Sequence, residues 1–204
     1  MRLAKFSVIP VLAMLGGCVT GYTAVLPGVN SFGSMRVTAD DNWNSAPGGF
    51  MPASRKSSRT WTQDGLLLDR LVIIPRVADG ESIFVSRDKS AALPVYRADM
   101  LPNEIEELVE SSITKLYGEG QSSVSTSNLR PQGFGEHGGF MFDIEAAVTE
   151  SPDYRGSVGA FIVEDELYMV IFLAAEPYYY DKHAARADAI IKSATLSTKT
   201  TGKF

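Results

Sequence analysis

Residues 140–175 read FMFDIEAAVTESPDYRGSVGAFIVEDELYMVIFLAA, and this stretch decides the fold class. Phe140, Phe142, Ile144, Ala146 and Val148 alternate with Met141, Asp143, Glu145 and Ala147, the two-residue period of a strand with one buried face. Arg155–Glu164 and Leu167–Ala175 flank the polar turn Asp165-Glu166. Leu167–Ala175 is apolar at nearly every position, so it belongs in the middle of a sheet covered on both faces. Three consecutive strands with a short turn inside them form an antiparallel meander.

Helical patterns lie on either side. Pro102 opens a run in which Leu101, Ile105, Leu108, Val109, Ser112, Ile113 and Leu116 recur every three or four residues. Proline in the first turn, Glu104, Glu106 and Glu107 near the start and Gly118 after Tyr117 all agree with a helix over 102–117. After the meander, Ala184, Ala187, Ile191 and Ala194 share one stripe and predict a second helix over 178–195. Upstream, Met35–Val37 reads as a short strand. Arg59–Thr62 meets Asp64-Gly65, a hairpin signal because glycine takes positive φ without steric cost, and the apolar runs 66–68 and 71–74 follow. Asp79-Gly80 marks a second turn, residues 79–99 a long surface excursion, and residues 44–58 a loop of turn formers. The expectation is an α+β domain over 35–196, with an antiparallel sheet of five to six strands packed against two main helices.

The chain opens with Arg2 and Lys5, then an apolar run from Phe6 to Leu15, then Leu15-Gly16-Gly17-Cys18. A basic start, a short apolar stretch and small residues before a cut site describe a secretory signal peptide, and the run is too short to span a bilayer, which takes ~20 residues. The Leu-Gly-Gly-Cys end resembles the lipobox of bacterial lipoproteins. That resemblance implies a signal peptide over 1–17, diacylglyceryl transfer to the Cys18 sulfur, cleavage before Cys18 and acylation of the new amino group. Two or more acyl chains anchor stably where one is marginal. Val19, where an aspartate would favour the inner membrane, fits the outer-membrane class. Residues 18–34 carry no charge, hold Gly21, Pro27, Gly28 and Gly33, and read as a tether. The formal charge of −5 becomes more negative once Arg2 and Lys5 are removed, so the body is expected to stand off anionic lipid while the acyl chains hold it. Residues 197–204 read as a tail.

From about Trp61 to Leu196, the order of strands, helix, strand meander and helix resembles the PsbP-like α/β/α sandwich, named for an extrinsic photosystem II subunit. The resemblance is one of topology and carries no functional residue with it.

Composition narrows the chemistry. One cysteine excludes an internal disulfide framework, and two histidines leave little for a histidine-rich metal centre. The negative charge argues against nucleic acid as a partner. Gly133–Gly138 matches G-x-G-x-x-G, but strand alternation follows where a dinucleotide site needs a helix, so it reads as a hairpin loop. Glu136 and His137, with a carboxylate such as Asp143, form the one general-base arrangement the sequence offers to a hydrolase-like enzyme. His183 beside Asp181 and Lys182 reads as a surface or helix-cap residue, and Asp40, Asp41, Asn42 and Asn44 as a turn. The run Tyr178-Tyr179-Tyr180 cannot bury all three rings on one face. With Trp61 or Phe134 it is the expected contact patch for a ligand or an envelope partner. The sequence therefore predicts a lipid-anchored binding or assembly module with no catalytic residues, metal or cofactor.

Overall fold

A computed structural model describes residues 21–47, 55, 57–86, 92–118 and 120–197. In chain order the elements are β1 (Thr23–Val25), β2 (Gly28–Phe32), β3 (Met35–Ala39), β4 (Trp43–Ser45), β5 (Arg59–Thr62) and β6 (Asp69–Val77), then α1 (Pro102–Tyr117). There follow β7 (Ser122–Phe134), β8 (His137–Val148), β9 (Tyr154–Val163), β10 (Glu166–Ala175), α2 (Tyr178–Lys192) and β11 (Thr195–Leu196). The large sheet runs β1-β4-β5-β6-β10-β9-β8-β7, and a smaller one runs β11-β3-β2. Every pairing is antiparallel.

The strand read as central lies between β6 and β9, and its period of two sorts its side chains between two cores. Leu167, Met169, Ile171, Leu173 and Ala175 point to the α1 face, where they meet Ile105, Leu108, Val109 and Ile113. Tyr168, Val170, Phe172 and Ala174 point to the other, beside Ala187, Ile190 and Ile191 of α2. On that second face β3 adds Met35, Val37 and Ala39, so the small sheet lies beside α2 as part of the cover. Close approach of α2 needs a bare backbone at Gly159, where any Cβ would collide with Ile191 and stand 3.1 Å from the Phe134 ring.

α1 matches its expected span. The Glu104 carboxylate accepts the Leu101 N–H at 2.7 Å and closes its first turn. Leu101 itself, counted in the apolar stripe, precedes the helix and is exposed.

Several expectations are corrected. The described residues form eleven strands in two sheets, more than five to six. The tether assigned to 18–34 contains β1 and β2, because Thr23–Val25 finds an open edge at β4 and Gly28–Phe32 pairs with β3. The last helix stops at Lys192, and Thr195–Leu196 pairs with β3 instead of extending it. Leu66–Leu68 lie in a turn, since β6 begins at Asp69. The excursion over 79–99 is pinned by Ile83 and Tyr96, both buried in the α1-side core. Residues 1–20, Cys18 among them, and 198–204 lie outside the described residues.

Candidate functional site

Three connections meet at one end of the sandwich: the turn 63–68 between β5 and β6, the loop before β9, and the junction of β10 with α2. The turn is built around Asp69, which is fully buried. Its Oδ1 accepts the Thr62 hydroxyl at 3.0 Å and the Asp64 N–H at 2.8 Å, and its Oδ2 accepts the Gln63 N–H at 2.8 Å. Thr62 Oγ1 in turn accepts the Gly65 N–H at 2.8 Å. Leu68 O takes the Ala175 N–H, Leu67 O takes the Tyr154 hydroxyl, and Asp153 O takes the Glu176 N–H, so the three connections hold one another.

This arrangement presents Asp64 to the second turn of α2. Lys182 Nζ donates to both carboxylate oxygens at 2.8 and 2.7 Å, and His183 Nε2 lies 2.6 Å from Oδ2. The Lys182 hydrogen bond holds the Asp64 carboxyl below its ordinary pKa against the opposing effect of burial, and the His183 hydrogen bond adds to the lowering. An ionised Asp64 can only accept, so the His183 Nε2 carries the hydrogen. His183 is fully buried, with its ring 6.2 Å from that of Trp43. Its Nδ1 and the Trp43 Nε1, on neighbouring rings, have no hydrogen-bond partner.

The ligand atoms of Asp64, Asp69 and His183 lie within 4.8 Å of one another, the donor set of a divalent-cation site. The hydrogen bonds argue for another role. Asp69 spends its oxygens on the turn, and Lys182 already supplies the positive charge at Asp64. The cluster is a lock between the β5–β6 turn and α2.

On the opposite face of the sheet, Arg70 donates to the Tyr117 hydroxyl at 2.7 Å and lies 4.8 Å over the Tyr154 ring. It fastens the end of α1 to the same turn. Two apolar side chains stand out to solvent at this end, Leu67 at 77% exposure and Tyr178 at 65%, among the exposed charged residues Asp64, Asp153, Glu176 and Lys182.

The tyrosine run divides as its geometry requires. Tyr180 stacks on Phe172 at 6.4 Å beneath the Arg155 guanidinium, and burial raises its hydroxyl pKa. Tyr179 is half-buried and meets Tyr178 edge-on at 5.1 Å. Tyr178 projects, with the Lys182 ammonium 5.9 Å from its ring centre. Trp61 does not belong to this patch. It is 1% exposed, packed between Phe32 and Trp43, because its strand position turns it into the α2-side core. Phe134 is buried as well, stacked on Phe161 at 4.9 Å.

Gly133–Gly138 spans the two-residue loop of the β7–β8 hairpin, with Phe134 paired to His137 and Gly135 at φ +62°. No helix follows it. Glu136 Oε1 lies 3.9 Å from His137 Nε2, and the imidazole lies parallel to Phe161. Asp143 is not brought to them. Six residues along one strand separate it from His137 by ~20 Å. Its carboxylate is held by Arg130 and Asn128, each at 2.9 Å. Asp40–Asn42 form the β3–β4 turn, in which Asp41 accepts the Asn42 N–H at 2.7 Å and pairs with Arg186.

The buried His183 differs from its surface reading. Its signal was periodic: positions 183, 187, 190 and 191 are the buried stripe of α2, and the histidine occupies the first place on it.

No protein-family model matches the chain, and no curated protein sequence matches it. Among solved structures it is similar to the solution structure of cyanobacterial PsbP (CyanoP) from Synechocystis sp. PCC 6803. The TM-score is 0.57 at 10% identity, over 91% of this chain and 99% of that one. It also aligns with the Ran-binding protein Mog1p of Saccharomyces cerevisiae, with a TM-score of 0.47 at 9% identity, over 87% of this chain and 96% of that one. The first likeness shows a PsbP-like fold, and at this identity it shows the fold alone.

Proposed function

We propose that this protein is an envelope lipoprotein held by acylated Cys18, in the outer membrane facing the periplasm, and that its domain is a non-catalytic binding or assembly module. The anchor reading is carried by the Leu15-Gly16-Gly17-Cys18 sequence behind a basic, then apolar start. Among the described residues no helix is long and apolar enough to cross a membrane, which neither supports nor opposes a lipid anchor.

The contact face is the end of the sandwich carrying Leu67 and Tyr178. A single observation supports it: these two exposed apolar side chains stand on connections locked together through Asp64, Lys182 and His183. Apolar area offered on a preordered backbone costs little further ordering when a partner binds. Tyr178 adds a hydroxyl to that area, which suits a peptide, a sugar or another envelope protein.

Two measurements test the proposal. Cys18→Ser should leave an uncleaved precursor that takes up no labelled fatty acid, and equal labelling of wild type and variant would sink the anchor. A photoreactive amino acid at position 178 should give a discrete cross-linked species in cells, lost when Leu67→Asp is added. A pattern unchanged by Leu67→Asp would remove this face from the proposal.

A further inference from the structure

β1 starts at Thr23, and the described chain starts at Gly21, so the segment expected to act as a long tether is mostly folded into the domain. From Cys18 to Gly21 there are three residues, at most ~11 Å of chain. A domain of this size has a radius of gyration of ~15 Å, larger than the reach of its connection to the anchor. Such a domain cannot stand clear of the surface that holds Cys18.

The nearest part of the domain along the chain is the corner Leu26-Pro27-Gly28-Val29, where the chain leaves β1 in the large sheet and enters β2 in the small one. Both flanking apolar residues face solvent, Leu26 at 68% exposure and Val29 at 66%. The corner is ordered from within. Asn30 Nδ2 donates to Gly28 O at 3.0 Å and to Leu26 O at 3.5 Å, and Gly28 sits at φ +119°. No charged residue occurs from Val19 to Met35. Two exposed apolar side chains on an ordered, uncharged corner, leashed within a few residues of acyl chains, match an interfacial lipid contact.

We propose that the Leu26–Val29 corner rests in the headgroup region of the bilayer that holds acylated Cys18. The inference depends on the anchor reading above and replaces the expectation that the body stands off in solvent. Asp40 sets the depth and the lipid. It follows Ala39, the register partner of Gly28, and is exposed. Its carboxylate keeps the corner at headgroup level instead of in hydrocarbon, and favours zwitterionic over anionic lipid.

The test uses full-length acylated protein in phosphatidylethanolamine–phosphatidylcholine vesicles. Acylation blocks the only native cysteine, so Leu26→Cys, Val29→Cys and, as a control, Leu129→Cys each offer one thiol for an environment-sensitive fluorophore. Leu129 lies on β7, at the edge of the large sheet opposite β1. Brominated lipid should quench the labels at 26 and 29, with emission shifted to shorter wavelength, and leave the label at 129 unchanged. If mass spectrometry finds Cys18 acylated and the three labels respond alike, the corner is not at the membrane while the anchor stands. If Cys18 carries no lipid, the anchor reading and this inference fall together.

Discussion

The two faces of the large sheet are covered by different means. On the α1 face, one amphipathic helix lays Ile105, Leu108, Val109 and Ile113 onto the sheet, approaching β7 and β8 most closely. On the α2 face the helix supplies Ala187, Ile190 and Ile191 with the buried His183, and the cover is completed by β3 and by Trp43 and Trp61. The first face is apolar contact over a long stripe. The second is assembled from segments more than a hundred residues apart and fastened at one end by the Asp64–Lys182–His183 lock. A simple stripe can be read from periodicity, whereas a composite cover depends on partners that no local pattern names.

The largest expected effects set core against core. Phe172→Ala removes the ring at the centre of the α2 face and should cost about 3–5 kcal/mol in chemical denaturation; Ile113→Ala on the α1 face should cost about 2–5 kcal/mol. If the Phe172 variant loses much less than the Ile113 variant, the composite face repacks more readily than the simple one, and the comparison turns over.

The lock comes next. Asp64→Ala leaves the His183 Nε2–H buried without its acceptor and should cost about 1–3 kcal/mol. Asp64 also makes stability depend on pH. Its folded pKa is depressed, so its contribution is fully present above the unfolded-chain value of ~3.9 and is lost as pH falls through the lower folded value. Wild type should therefore lose stability faster than Asp64→Asn as the pH is lowered below ~4. Parallel acid-unfolding curves would remove the ionic component of the lock. The smallest effect should come from Lys182→Ala, because the ammonium is solvated and its pairing is screened. Its small destabilisation should vanish at high salt, and one that persists there would mean that Lys182 acts through packing.

Much of this architecture was legible. Strong periods over 102–117 and 140–175, and one strand apolar throughout, are local consequences of burial, and they placed α1, the meander and the central position of β10. β3 and β5 were read, but β1, β2, β4 and β11 were missed because two to five residues carry too little period to stand out and their pairing depends on edges formed elsewhere. The longer β7 was missed because its sequence is polar and mostly exposed, with no apolar face to mark it. That one of Tyr178–Tyr180 is exposed was legible, since three adjacent rings cannot share a face, but which one was decided by the packing of α2. Trp61 was misplaced because an aromatic ring suits a core as well as a contact patch, and only the register of β5 on β6 turns it inward.

The sequence by itself determined the α+β class, the two helices, the doubly covered strand and the lipobox-like start, because each is written in neighbouring residues. Only the tertiary structure decided that Asp64 meets His183 across 119 residues, that β2 and β3 complete the cover beside α2, and that the supposed tether is folded. Those outcomes follow from which edges, charges and small backbones come together when the sheet closes, and long-range contacts of that kind have no signature within a stretch of chain.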